Sequence, residues 1–197
     1  MLTAVHYGPT DHGRPVNDDE LRTAEFQAGF DYEIIFGRLY VSPAPDFNHD
    51  WIEKHIFGQV FLYSRQNPNV AAYVTDRARV FVPGADKTTA PEPDLAVYSS
   101  VPGGDWRTTT PLIVGEVLGG TDVEKDLSRN VDLYFRVPSI QEYWVFDIRQ
   151  SAKRPDLIVH RRAADHWDVL EFGADHVYQT PLLPGLMLGI APKLSDA

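Results

Sequence analysis

Apolar positions change their spacing several times along the chain, and each change marks an element. From about Phe47 to Ser64, Ile52, Ile56, Val60 and Tyr63 recur at helical spacing and predict a long amphipathic helix. Before it, Asp31 to Phe36 and Arg38 to Val41, broken at Gly37, read as a hairpin that Pro43 and Pro45 end. Further upstream, Asn17 to Gln27 predicts a short helix. Asn17 is its N-cap, and Asp18, Asp19 and Glu20 lie in the first turn, where the helix dipole favours acids. Residues 1 to 16 carry Gly8, Pro9, Gly13 and Pro15 with little periodicity, so an extended arm is expected ahead of a single domain over 17–197.

The second half reads mainly as strands. Short ones are expected at Ala71–Asp76, Ala78–Val82 and Asp94–Tyr98, with a Gly- and Pro-containing loop from Pro83 to Pro93 between the last two. Leu112 to Leu118 is almost unbroken apolar sequence with one acid, the pattern of a central strand buried on both faces. Gly119-Gly120 then punctuates, and Thr121-Asp122-Val123-Glu124 is a capping-box pattern opening a helix to about Arg136. Ile140–Asp147 reads as another strand, and Pro155–Arg162, His166–Phe172 and His176–Tyr178 as a terminal antiparallel set. Mixed strands around two helices place the fold in the α/β (α+β) class.

Composition narrows the chemistry. A chain of 197 residues is one ordinary domain, and the absence of cysteine excludes thiolate metal sites, cysteine nucleophiles and disulfides. It also fits a reducing cytoplasm. The start, Met1-Leu2-Thr3-Ala4-Val5-His6, lacks a basic region and a long apolar core, and no run is long and apolar enough for a membrane span, so a cytoplasmic protein is expected. The formal net charge of −10 runs against general nucleic-acid binding, which draws on Lys and Arg. Acids gathered around a metal account for part of such an excess; solubility accounts for the same excess equally well.

Glu116 is the acid inside the apolar strand. A buried carboxylate is costly unless it is protonated or meets a basic side chain, a hydrogen-bond network or a metal. Asp94 follows Glu92-Pro93 and opens a short apolar strand, and Glu33 sits within the hairpin; either position also suits an ordinary exposed acid. On the helix over 121–136, Val123, Leu127, Val131 and Tyr134 share one face with Asn130 among them. A polar residue on that inward stripe needs hydrogen bonds or lines a site.

The run Asp31-Tyr32-Glu33-Ile34-Ile35-Phe36-Gly37-Arg38-Leu39-Tyr40-Val41-Ser42-Pro43-Ala44-Pro45, with His49 beyond it, resembles the opening of the Uma-type putative restriction endonucleases, members of the PD-(D/E)XK superfamily. Pro93-Asp94-Leu95-Ala96-Val97 is similar to the family's PD strand, and Val114-Gly115-Glu116-Val117-Leu118 to its VEVLS strand. Asp126, Tyr134 and Glu142-Tyr143-Trp144-Val145-Phe146-Asp147 resemble its D…K…Y…EYWVVD region, and Pro181 to Leu186 its C-terminal tail. The resemblance covers roughly residues 18 to 190. It implies a restriction-endonuclease-like mixed sheet flanked by helices, with Asp94, Glu116 and the additional acid Glu33 as ligands of Mg²⁺ or Mn²⁺. His49 and Tyr134 would support them, and DNA phosphodiesters would be the substrate. A second copy of the chain, paired through a sheet edge, is a further expected partner.

The pattern is broken at one place. The lysine that this family carries on the helix, four residues after Asp126, corresponds here to Asn130, which bears no charge. On an ideal helix Lys125 lies about 140° and Arg129 about 100° around from Asn130, so neither is expected to replace it. The resemblance therefore implies an endonuclease weakened at this position, or an inactive nuclease scaffold serving as a binding or regulatory module. A metal-free pair of acids in the manner of a glycosidase is the remaining alternative.

Overall fold

The computed structural model describes residues 4–86, 89–105, 108–120 and 123–192. The chain opens with β1 (Val5–Tyr7) and a short 3₁₀ turn, followed by α1 (Asp18–Leu21) and β2 (Ala24–Phe26). The helix expected over 17–27 is therefore one turn only. Asn17 does cap it, its Oδ1 accepting the Asp19 and Glu20 amides at 3.0 Å each. The remainder is drawn into β2, which pairs in parallel with β1, and Phe26 packs against Tyr7 and Tyr32. The segment expected as an arm is tied to the hairpin that follows. The amides of Gly13 and Val16 donate to the carbonyls of Leu39 and Gly37, and Pro15 bridges Arg38.

That hairpin is β3 (Phe30–Ile35) and β4 (Arg38–Pro43). Its register pairs Ile35 with Arg38, leaving Phe36 and Gly37 as a two-residue turn with φ of 50° and 68°. Two successive positive φ values give the turn whose twist suits an antiparallel pair. α2 (Phe47–Gln66) buries Ile52, Ile56, Val60 and Tyr63 as the spacing predicts, and Asp46 caps it by accepting the His49 amide at 2.9 Å.

A six-stranded sheet forms the centre. After β5 (Tyr73–Thr75), β6 (Leu95–Tyr98) and β7 (Ile113–Leu118), a π turn (Lys125–Arg129) leads into α3 (Asn130–Phe135). β8 (Glu142–Asp147), β9 (Asp156–Arg162) and β10 (Trp167–Phe172) follow. The order is β10-β9-β8-β7-β6-β5. Only the β7–β8 pair is parallel, and the helical segment between these strands is the crossover that such a pair requires. Period-2 alternation sends Ile113 and Val117 into the core beneath α2, and Val114 and Leu118 into the core with Leu133, Tyr134 and Val137. Every residue of β7 is buried, as its apolar run predicts.

The sequence pattern misleads in three further places. Ala78–Val82 is not a strand. The amides of Arg77, Val80 and Val82 do reach the carbonyls of Pro93, Pro91 and Thr89, but the two prolines have no N–H to return, so no ladder forms. β11 (Val177–Tyr178), expected beside β9 and β10, pairs instead with β12 (Leu188–Gly189). Together with Leu183, Leu186 and Ile190 this unit closes the α2-side core. Arg161 and Arg162, a basic pair whose sequence alone suggests a solvated surface, are structural. Arg161 binds the buried Glu142, and the Arg162 guanidinium donates to the carbonyls of Tyr134, Phe135 and Val137 at the end of α3. The Thr121-Asp122 half of the capping box lies outside the described residues. No described helix is long and apolar enough to cross a membrane.

Candidate metal centre

Register builds the site. In the β6–β7 ladder Leu95 faces Gly115 and Ala96 faces Val114. Carried one residue further, the same register sets Asp94 opposite Glu116, and directly opposed residues on neighbouring strands have close side chains. Like charges there repel, so this pair needs compensation. Asp94 Oδ2 accepts the Val117 amide at 2.8 Å and lies 3.2 Å from His49 Nε2. Glu116 Oε1 accepts Asn130 Nδ2 and the Tyr134 hydroxyl, each at 3.0 Å. The side chains of Asn130 and Tyr134 thus meet at one oxygen of the strand acid, which accounts for the polar residue on the inward stripe.

The two carboxyls are driven apart in acidity. Burial alone would raise Asp94, but the hydrogen bond and charge of His49, with the Val117 amide, hold it below the usual carboxylate range. Burial pushes Glu116 well above that range; Lys125 opposes the shift, while Asp126, Asp94 and Glu33 reinforce it. Asp94 is thereby kept ionised beside a neighbour that favours a proton or an added cation. His49 is raised, because the hydrogen bond and charge of Asp94 outweigh the burial that would lower it.

Glu33 stands differently from the sequence expectation. It lines the same pocket of about 540 Å³ as Asp94 and Glu116, but its Oε2 lies 2.5 Å from Arg129 Nη2 and its Oε1 accepts the Glu92 amide. Burial would raise its carboxyl, yet Lys125 and Arg129 lower it overall. The ligand role expected for Glu33 is thus met here by an ion pair. Among the described residues, the group of three whose donor atoms all lie within 4.8 Å of one another is His49, Glu53 and Asp94. Asp94 belongs to both sets.

A family model for Uma2, described as putative restriction endonuclease, matches residues 18–191. This chain belongs to the Uma2 family. A solved structure of a putative nuclease belonging to DUF820, from Anabaena variabilis, is 17% identical with a TM-score of 0.65, and the match covers 89% of this chain and 96% of that one. At that identity the likeness bears on the fold. No curated protein matches the chain.

Around Asn130 this Uma2 chain departs from the ideal helix. In the π turn the Asn130 amide donates to the Lys125 carbonyl, five residues back. The angular separation of Lys125 and Asn130 is then smaller than an α-helix would give. Lys125 Nζ comes within 3.9 Å of Glu33 Oε1 and lines the pocket. Burial alone would favour its neutral amine, but Glu116, Glu33, Asp126 and Asp94 outweigh that and keep it charged. Arg129 stacks over the Tyr40 ring, 4.7 Å from its centre, while holding Glu33.

Glu53 was legible in principle. It falls four residues after His49, on the stripe that carries Ile52 and Ile56, and an acid on an apolar stripe is the same signal that singled out Glu116. It is 3% exposed, and burial raises its carboxyl while Lys54 draws it back. No comparable signal marked Lys125, because the π turn is not readable from residue spacing.

Proposed function

We propose that this Uma2 protein is a Mg²⁺- or Mn²⁺-dependent endonuclease that hydrolyses DNA phosphodiester bonds, with Asp94 and Glu116 holding the ion. The observation that carries the reading is the cross-strand opposition of these two carboxylates at a polar pocket, one kept ionised and the other short of a compensating charge. Hard divalent cations favour such oxygen donors. When bound, the ion would supply Lewis-acid polarisation of the phosphate and a more acidic water. Tyr134 and Asn130 fix the orientation of Glu116, and His49 with the Val117 amide fixes Asp94. His49 and Glu53 offer further donors around Asp94. Glu33 enters the ligand set only by parting from Arg129; while paired, it anchors that guanidinium beside Tyr40.

Calorimetric titration of Mg²⁺ or Mn²⁺ into wild type, Asp94→Asn and Glu116→Ala tests the metal claim, and identical heats in all three would end it. Nicking of supercoiled plasmid under Mn²⁺, absent in Asp94→Asn, tests the chemistry. The net charge of −10 and the ion-paired Glu33 favour a second reading, an inactive nuclease scaffold used for binding. DNA retention without nicking in the folded wild type would support that reading instead.

A further inference from the structure

We propose that Lys125, carried into the site by the π turn, faces the scissile phosphate and supplies the positive charge that Asn130 lacks. The inference rests on the nuclease reading above and assigns one residue within it. Three observations converge. First, the Asn130 amide bonds the Lys125 carbonyl five residues back, a widened turn that narrows the angle between the two residues relative to an α-helix, and π turns recur where a helix serves a site. Second, Lys125 Nζ lies 3.9 Å from Glu33 Oε1 on the wall of the pocket that Asp94 and Glu116 also line, with its side chain 22% exposed. Third, the other guanidinium groups nearby face other partners. Arg129 is held by Glu33 and Tyr40 and does not line the pocket, Arg149 is chelated by both oxygens of Asp147, and Arg77, half exposed on the pocket wall, lies 3.9 Å from Asp31.

The work of one lysine is thereby divided between two residues. Asn130 donates to Glu116 and Asp126 and orients the acids, while Lys125 provides charge. In the hydrolysis a water oxygen bonds to phosphorus and the bond to the leaving sugar oxygen breaks. The attacking water gives one proton to solvent and the departing alkoxide takes one from solvent, so only water is consumed. Lys125 keeps its proton throughout, and its ammonium offsets the negative charge that builds on the non-bridging phosphate oxygens.

The test compares Lys125→Met, Lys125→Arg and the double variant Lys125→Met/Asn130→Lys with wild type and Asp94→Asn, after thermal melts establish folding. Two readouts are taken: plasmid nicking rate under Mn²⁺ and calorimetric Mn²⁺ affinity. Lys125→Met should slow nicking by about 10²- to 10³-fold and tighten Mn²⁺ about tenfold, because a like charge leaves the site. Lys125→Arg should keep most of the rate, and the double variant should recover part of it. Wild-type nicking by Lys125→Met, with Asp94→Asn silent, would overturn the assignment and leave the nuclease reading standing. If wild type does not nick, that reading fails and the affinities decide on Lys125: unchanged Mn²⁺ affinity in Lys125→Met, or no binding by any variant, overturns it.

Discussion

Glu116→Gln should stabilise the metal-free protein while removing its response to metal. Glutamine keeps the shape, and its Oε1 can still accept Asn130 Nδ2 and the Tyr134 hydroxyl, both at 3.0 Å from the present carboxylate. The second oxygen becomes an N–H₂ group, and the negative charge opposite Asp94 disappears. Lys125 works the other way, since it loses an attractive partner. A buried, incompletely compensated acid costs on the order of 1–3 kcal/mol. For a chain of this size each kcal/mol moves Tm by roughly 2–4 °C, so the variant should melt about 2–12 °C higher in EDTA at pH 7.5. The sign follows from the raised carboxyl of Glu116. A fold that holds the proton more tightly than the unfolded chain loses stability as pH climbs above the ordinary carboxylate range, so the advantage of the variant should shrink towards pH 4.5. At 100 times Kd, Mn²⁺ would add about 2.7 kcal/mol to wild type and little to the variant, closing or reversing the gap. Calorimetric melts in EDTA and in Mn²⁺ make the comparison. A variant that melts below wild type in EDTA at pH 7.5 would refute the charge argument.

Two further outcomes concern residues outside the pocket. Glu142 is fully buried and accepts Trp144 Nε1, the Tyr178 and Thr180 hydroxyls and Arg161 Nε. Glu142→Ala strands all four donors and should cost about 3–5 kcal/mol in urea unfolding; a loss under about 1 kcal/mol would show that water replaces the carboxylate. His160 is buried with neither ring nitrogen bonded and stacks on Tyr143, and burial lowers its pKa. It is neutral in the fold, so its contribution is present above the unfolded value of about 6.5 and is lost as pH falls from there towards the folded value. Between pH 7.5 and 5, wild type should therefore lose more stability than His160→Phe. Parallel pH profiles would count against this account.

What was readable in the sequence follows local physics. Ile52, Ile56, Val60 and Tyr63 specify α2 by period alone, and the apolar run at 112–118 specifies a strand covered on both sides by α2 and α3. The opposition of Asp94 and Glu116 follows once those strands pair. What escaped depends on partners far along the chain. The helix expected over 17–27 yields to pairing between β1 and β2, and Pro91 and Pro93 prevent a ladder that the composition of 78–82 invited. The pairing of Glu33 with Arg129 joins residues 96 apart in sequence. The π turn escaped as well, because a fixed 100° per residue set Lys125 far around the helix from Asn130, while the hydrogen bond from the Asn130 amide to the Lys125 carbonyl spans five residues.

The charge of the pocket imposes an order of events on the proposed reaction. Seven acids line it, Asp31, Glu33, Asp46, Glu92, Asp94, Glu116 and Asp126, against Arg77, Lys125, Arg149 and His49, whose protonation Asp94 favours. A phosphodiester brought to this wall without a counterion meets net repulsion, on a protein whose overall charge of −10 offers no compensating field. A divalent ion held by Asp94 and Glu116 would remove two charges from that excess and make the region beside Lys125 more favourable to phosphate. Metal should therefore precede DNA, and DNA retention by the protein should depend on the ion even when cleavage is blocked. Gel shifts with Ca²⁺, which fills hard oxygen sites, should show binding that EDTA abolishes. Equal retention in EDTA would place the DNA on another surface and separate binding from these acids altogether.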